Sequence, residues 1–157
     1  MIFLGIDPGL ATTGYAVIKK EAGGVLRALD WGVIETKKNA PGVRLQTIAN
    51  DLNRLIRRSR PSAAAVESLY FAKNVKTALK VAEARGVILL TLQKNKIPIS
   101  EFTPLQVKSQ ITSYGQATKK QMQTMVQRLL GLKSVPHPDD AADALALAIC
   151  GAAKKII

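Results

Sequence analysis

Met1-Ile2-Phe3-Leu4-Gly5-Ile6-Asp7-Pro8-Gly9 opens the chain, and its reading decides the architecture. The stretch from Met1 to Ile6 carries no charged side chain and reads as a fully buried strand, which Asp7-Pro8-Gly9 stops. Ala11 to Ile18 reads as a second strand and Val25 to Glu35 as a third, joined by a turn at Glu21-Ala22-Gly23-Gly24. Three strands in quick succession with short turns predict an antiparallel meander. Leu45, Ile48, Ala49, Leu52, Leu55 and Ile56 then recur at helical spacing, so residues 43–58 form an amphipathic helix. Arg44, Arg54, Arg57 and Arg58 lie on its other face, and Pro61 ends it. Ala63-Ala64-Ala65-Val66 is a short buried strand leading into Glu67.

A long helix is expected over 74–95, with Val75, Ala78, Leu79, Ala82, Gly86 and Leu89 on one stripe. Gly86 costs about 1 kcal/mol there relative to Ala. Close packing against another helix explains it, either within the chain or across a dimer interface. Residues 97–102 read as a fifth strand. Thr103 and Gln106 form a capping box with Pro104 at the first helical position, and Thr118 and Gln121 repeat the box. Met122, Met125, Val126, Leu129 and Leu130 line that next helix, the methionines as core filler. A last helix runs over about 138–154. The order β-β-β-α-β-α-β-α-α-α predicts an α/β fold over residues 1–157 as one domain: a five-stranded mixed sheet with helices on both faces.

Twenty-three Lys and Arg oppose eleven Asp and Glu, a net charge of +12. That imbalance favours a nucleic acid or an anionic membrane surface as partner. No apolar run is long enough to span a membrane, and no basic region precedes the apolar N-terminal stretch, so neither a membrane span nor a signal peptide is expected. A lone cysteine, Cys150, excludes an internal disulfide framework and fits a reducing cytoplasm. With one His and one Cys, a zinc site of the usual ligand set cannot be built within one chain. Any metal must be held by oxygen ligands, which favours Mg2+, with Mn2+ as a substitute.

Four acids stand out against this basic background. Asp7 ends a buried strand, where a carboxylate is expensive to desolvate unless something cationic offsets the cost. Glu67 ends another, although alone it could equally turn into solvent. Asp140 and Asp143 lie three apart and share a face of the last helix, whereas Asp139 points elsewhere. Asp139 and Asp140 could serve only to complement the helix dipole. Asp143 is the sole polar residue of Ala141-Ala142-Asp143-Ala144-Leu145-Ala146-Leu147-Ala148-Ile149, which makes it a ligand candidate. Parallel neighbouring strands would bring Asp7 and Glu67 to one sheet edge, with the last helix placing its pair opposite. Clustered carboxylates repel, and divalent cations remove the repulsion. Two ions about 4 Å apart can activate a water and stabilise the leaving oxygen of a phosphodiester.

Lys119 and Lys120 occupy a helix first turn, where positive charge opposes the dipole; a bound phosphate would reverse that sign. Lys108 is either a further phosphate contact or a solvated surface lysine. Tyr70 and Phe71 follow Glu67 closely, as core residues or as platforms for unpaired bases. His137, the only histidine, precedes Pro138 and is expected to cap the last helix, the alternative being an active-site role near Asp140.

Gly5-Ile6-Asp7-Pro8-Gly9 with Thr13-Gly14-Tyr15-Ala16, then Glu67-Ser68-Leu69-Tyr70-Phe71-Ala72-Lys73-Asn74, Ala84-Arg85-Gly86, Gln106-Val107-Lys108 and Asp140-Ala141-Ala142-Asp143-Ala144-Leu145-Ala146 resemble the RuvC family of bacterial Holliday junction resolvases. The likeness covers nearly the whole chain in the right order. The first motif alone is weak, because actin-like kinases and chaperones have a similar phosphate loop; the Glu67 and Asp140–Asp143 segments together are specific. The resemblance implies a ribonuclease H-like fold, a homodimer, and magnesium-dependent cleavage of two opposed strands of four-way junction DNA in recombination and repair. Asp7, Glu67, Asp140 and Asp143 match the family's metal-binding acids, and Lys108 and Lys119 its basic active-site residues. Tyr70 falls where the family commonly has a phenylalanine near the junction centre, a role that Phe71 could share. Lys73, Asn74 and Lys120 join these as expected DNA contacts. The partners implied are RuvA and RuvB.

Rival readings are few. A ribonuclease H-like nuclease of the YqgF type shares the Asp7 motif but is not expected to carry the Tyr70-Phe71 or Gln106-Val107-Lys108 segments. An actin-like ATPase needs two such domains around its nucleotide, which this length disfavours. A junction-binding protein without catalysis is disfavoured by the presence of all four acids.

Overall fold

Residues 1–68 and 75–154 are described by the structure, a computed structural model, with side chains for all of these except Val75 and Lys76. The strands are β1 (Ile2–Asp7), β2 (Thr12–Lys20), β3 (Leu26–Glu35), β4 (Ala63–Glu67) and β5 (Ile99–Phe102). The helices are α1 (Pro41–Ser59), α2 (Val75–Lys94), α3 (Pro104–Thr112), α4 (Lys119–Leu130) and α5 (Asp139–Ala153). The strands form one mixed sheet in the order β3-β2-β1-β4-β5. β1, β2 and β3 make the expected antiparallel meander, while β4 pairs parallel with both β1 and β5.

Helices cover both faces, and strand alternation assigns each residue its side. Phe3, Ala16, Ile18, Ala63, Ala65 and Phe102 face α3, α4 and α5. Leu4, Ile6, Val17, Ala64 and Val66 face α1 and α2. Asp7 has the parity of Phe3, and Glu67 that of Ala65, so both acids belong to the α5 side.

α5 is apolar almost all round and lies buried across the middle of the sheet. Its backbone comes down onto two glycines. A Cβ on Gly5 would run into the carbonyl oxygen of Ala144 and lie 2.6 Å from the nitrogen of Ala148; one on Gly14 would run into the carbonyl of Asp140. Only a residue without a side chain permits such an approach.

The long helix corrects one expectation. The face of α2 that enters the core is Ala84, Ile88 and Leu92, with Thr91 beside them, and of the expected stripe Leu89 packs against it. Leu79 is 61 % exposed, and a Cβ on Gly86 would meet nothing within 4 Å. Gly86 therefore serves no close contact among the described residues. The helix carries apolar residues on more than one side, so periodicity alone could not select the buried face.

Gly5→Ala should cost about 1–3 kcal/mol, the usual penalty for forcing atoms into a close-packed site. Thermal unfolding should register a melting point several degrees lower. An unchanged melting point would mean that α5 lifts off the sheet without cost.

Candidate active site

β1 and β4 run parallel with Ile6 opposite Val66, so the next residues, Asp7 and Glu67, end adjacent strands side by side. Both point to the α5 face. Burial, then Glu67, Asp143 and Asp140, push the Asp7 carboxyl up to about 8. Burial and Asp143 raise Glu67 as well, while a hydrogen bond donated by protonated Asp7 pulls it back down. The two strand ends are thus joined by a carboxyl–carboxylate hydrogen bond.

α5 supplies the other acids. Gly14 is the register partner of Asp7, and the Asp140 backbone sits directly over Gly14. The helix therefore starts above the Asp7 end of the sheet, with its positive dipole end among the acids. Asp143 follows one turn later, the half-exposed break in an otherwise buried run. Burial raises its pKa, Lys119 and Lys108 lower it, and Asp139 and Asp140 raise it further.

The lysines arrive from α3 and α4. Thr118 accepts from the Gln121 N–H while Gln121 accepts from the Thr118 N–H, so the expected capping box starts α4 with Lys119. Lys119 Nζ lies 2.9 Å from Asp139 and 3.8 Å from Asp143. The Thr103–Gln106 box starts α3 in the same way and carries half-buried Lys108 to the same place. Glu67, Lys108, Lys119 and Asp143 line one cleft of about 230 Å³, floored by Val107, Met122, Ala146 and Leu147.

Lys120 goes elsewhere. It turns into a separate groove of about 420 Å³ with Tyr114, Thr124, Met125 and Arg128. Asp139 holds more than a dipole: it accepts from Gln123 at 2.9 Å as well as from Lys119, and Lys119 holds its pKa down. Sequence reasoning missed this anchor, because α4 and α5 meet only through the fold. The capping role expected of His137 is overturned. The cap is Pro138, with no side-chain cap bond, and its carbonyl accepts from Ala141 and Ala142. With α5 beginning at Asp139, His137 lies one residue too early to cap it. Cys150 is buried and its thiol is pushed up to about 12, so it is no nucleophile. Tyr70, Phe71, Lys73 and Asn74 lie outside the described residues.

Among the described residues, no three acid, His or Cys side chains are yet arranged as a finished coordination set. Asp7 is bonded to Glu67, and Asp143 leans toward Lys119. The donor set still suits a hard divalent cation. Its candidate ligands are all carboxylates, the pKa values of Asp7 and Asp143 are raised by burial and by their acidic neighbours, and a cation would relieve that repulsion.

Comparisons with known proteins point to one family. Residues 3–151 match the family described as "Crossover junction endodeoxyribonuclease RuvC". The protein of that name from Chloroflexus aggregans is 53% identical over 150 residues, covering 95% of this chain and 91% of its own. The one from Syntrophomonas wolfei is 51% identical over 151 residues, covering 96% of this chain and 87% of its own. Among solved structures, T. thermophilus RuvC in complex with Holliday junction substrate superposes with a TM-score of 0.90 at 33% identity, covering 95% of this chain and 91% of that one. That superposition bears out the ribonuclease H-like fold expected from the sequence. The chain belongs to the RuvC family of crossover junction endodeoxyribonucleases.

Proposed function

We propose that the chain is a divalent-metal-dependent endodeoxyribonuclease that resolves Holliday junctions in recombination and DNA repair. It acts by paired hydrolysis of phosphodiester bonds in two opposed strands, as one nuclease domain over residues 1–157. The observation that carries this reading is the cleft in which Glu67 and Asp143 stand beside Lys108 and Lys119, next to Asp7. Opposite charges at one sheet end suit a cation-assisted reaction on an anionic backbone.

Asp7, Glu67, Asp140 and Asp143 would hold Mg2+, two ions per site, with Mn2+ able to substitute. Bound metal supplies a water of lowered pKa and positive charge for the leaving oxygen. The chain's own groups do the rest. Asp139 and Asp143 hold the Lys119 ammonium at the cleft, where it can meet a phosphate oxygen. Lys108 approaches the same cleft from α3 and offsets the charge of the backbone. Lys120 and its neighbours extend the basic surface along α4. Tyr70 and Phe71, directly beyond the Glu67 strand end, are the candidates for stacking on unpaired bases at the junction centre.

Two cuts in opposed strands call for two sites related by a two-fold axis. The α2 face supports such a homodimer: Leu79 and Leu90 are 61 % and 55 % exposed, and Gly86 between them leaves open space. Association with RuvA and RuvB is supported by family membership alone. A cytoplasmic setting fits the lone reduced cysteine; among the described residues, no helix is long and apolar enough to cross a membrane.

Asp7→Asn and Asp143→Asn should each abolish magnesium-dependent nicking of a synthetic four-way junction while leaving its binding nearly intact. A folded variant that cleaves at the wild-type rate removes that residue from the site. In chelator above pH 8, where Asp7 ionises, Asp7→Asn should also raise the melting point, because it removes a buried carboxylate from a repulsive cluster; about 0.5–2 kcal/mol is a usual gain for relaxing a functional site. Junction affinity should fall with salt with a log–log slope of roughly −5 or steeper, as expected for six or more phosphate contacts. A nearly flat dependence would contradict an electrostatic interface. Gly86→Leu should shift sedimentation toward monomer and replace paired cuts by single nicks. If the wild type sediments as a monomer and still cuts in pairs, the dimer argument fails.

A further inference from the structure

Arg85 reaches the catalytic end of the sheet from the face opposite α5. Its Nε donates to the carbonyl oxygen of Glu67 at 3.2 Å, and its Nη2 pairs with the Glu101 carboxylate of β5. The side chain is 18 % exposed, so α2 and the sheet hold it in place. The peptide unit that it touches is the one joining Glu67 to Ser68. The other end of that unit is also held, because the Ser68 N–H donates to Phe102 O at 2.9 Å. One peptide plane is thus clamped at its carbonyl by Arg85 and at its amide by β5.

The plane follows directly from the Glu67 Cα. Fixing it removes the freedom of the backbone torsion that would otherwise swing the strand end, and with it the origin of the Glu67 side chain. β4 has no strand beyond this residue to do the same. The β4–β5 ladder already pairs Ala64 through Glu67 with Ile99 through Phe102, so sheet cohesion does not need the arginine. The guanidinium pairs with Glu101 and makes no ion pair with the Glu67 carboxylate, so its effect on Glu67 runs through the backbone. A planar fork that presents Nε to a carbonyl and Nη2 to a carboxylate is a geometry that lysine cannot copy.

We infer that Arg85 is a positioning residue that clamps the Glu67–Ser68 peptide and so aims the Glu67 carboxylate into the cleft. This rests on the reading of Glu67 as a metal ligand. Supporting bonds of this kind commonly govern metal affinity and activity by about 10–100-fold.

The test uses Arg85→Lys, Arg85→Gln and Glu101→Gln in the full chain. Three readouts are needed: Mn2+ binding by calorimetry, amide hydrogen exchange at Ser68, and nicking of a four-way junction at saturating protein. Both Arg85 variants should fold and bind the junction as the wild type does. They should bind Mn2+ about 10-fold or more weakly, exchange the Ser68 amide faster and nick more slowly, with nicking partly restored by excess metal. Glu101→Gln keeps the carbonyl bond and should have the smaller effect on all three. Wild-type metal affinity and Ser68 exchange in Arg85→Gln would overturn the clamp. So would a general loss of folding and junction binding in both Arg85 variants, which marks a merely structural arginine. An effect of Glu101→Gln as large as that of Arg85→Gln would place the role in the ion pair and overturn the backbone route. If the wild type itself failed to nick junctions, the proposed function would fall; the metal and exchange measurements would still decide the clamp.

Discussion

The contact on which the rest depends is the descent of the α5 backbone onto Gly5 and Gly14. Helices ordinarily stand off a sheet by the length of the intervening side chains. Here two glycines on the sheet and a row of alanines on the helix remove that spacing. Close packing makes α5 a rigid member of the core, and it also carries Asp140 over the partner of Asp7. The same approach that buries Leu145 and Leu147 brings two helix carboxylates to two strand-end carboxylates. Stability and site geometry come from one interface.

That geometry has an electrostatic cost. Burial, together with the acids around them, raises the pKa of Asp7, Glu67 and Asp143 at this end of the sheet. The protein offsets the cost in three ways: the hydrogen bond between Asp7 and Glu67, the ammonium of Lys119, and the positive end of α5. None of these removes the repulsion entirely. A cluster in this condition would be relieved by a bound cation, and perturbed groups of this sort concentrate where proteins act. The basic surface around it has the opposite sign and draws a polyanion to the same place.

Much of the architecture was legible in the chain itself. The buried run before Asp7, the alternation of β2, the two capping boxes and the apolar last helix each announced their element. Asp143 betrayed itself as the one polar residue in an apolar stretch. Other features left no local trace. α2 is apolar on more than one side, and only the location of α1 and the sheet decides that Ala84, Ile88 and Leu92 face inward. The anchoring of Lys119 by Asp139 joins residues twenty positions apart on different helices. The clamp of Arg85 on Glu67 spans two elements on opposite sides of a strand end.

The order of elements and the meander were written in the chain, which also singled out four acids and left oxygen as the ligand type for any metal. Those follow from period, turn chemistry and ligand type, which are local properties of a chain. Tertiary structure alone decided that the acids meet, that Lys119 turns to them while its neighbour Lys120 turns away, and that His137 stands outside the helix cap. Successive residues on a helix point about 100° apart. Which of two adjacent lysines sees the site is therefore settled only by the rotation at which α4 packs, and that rotation is set by Met122, Val126 and Leu130 entering the core.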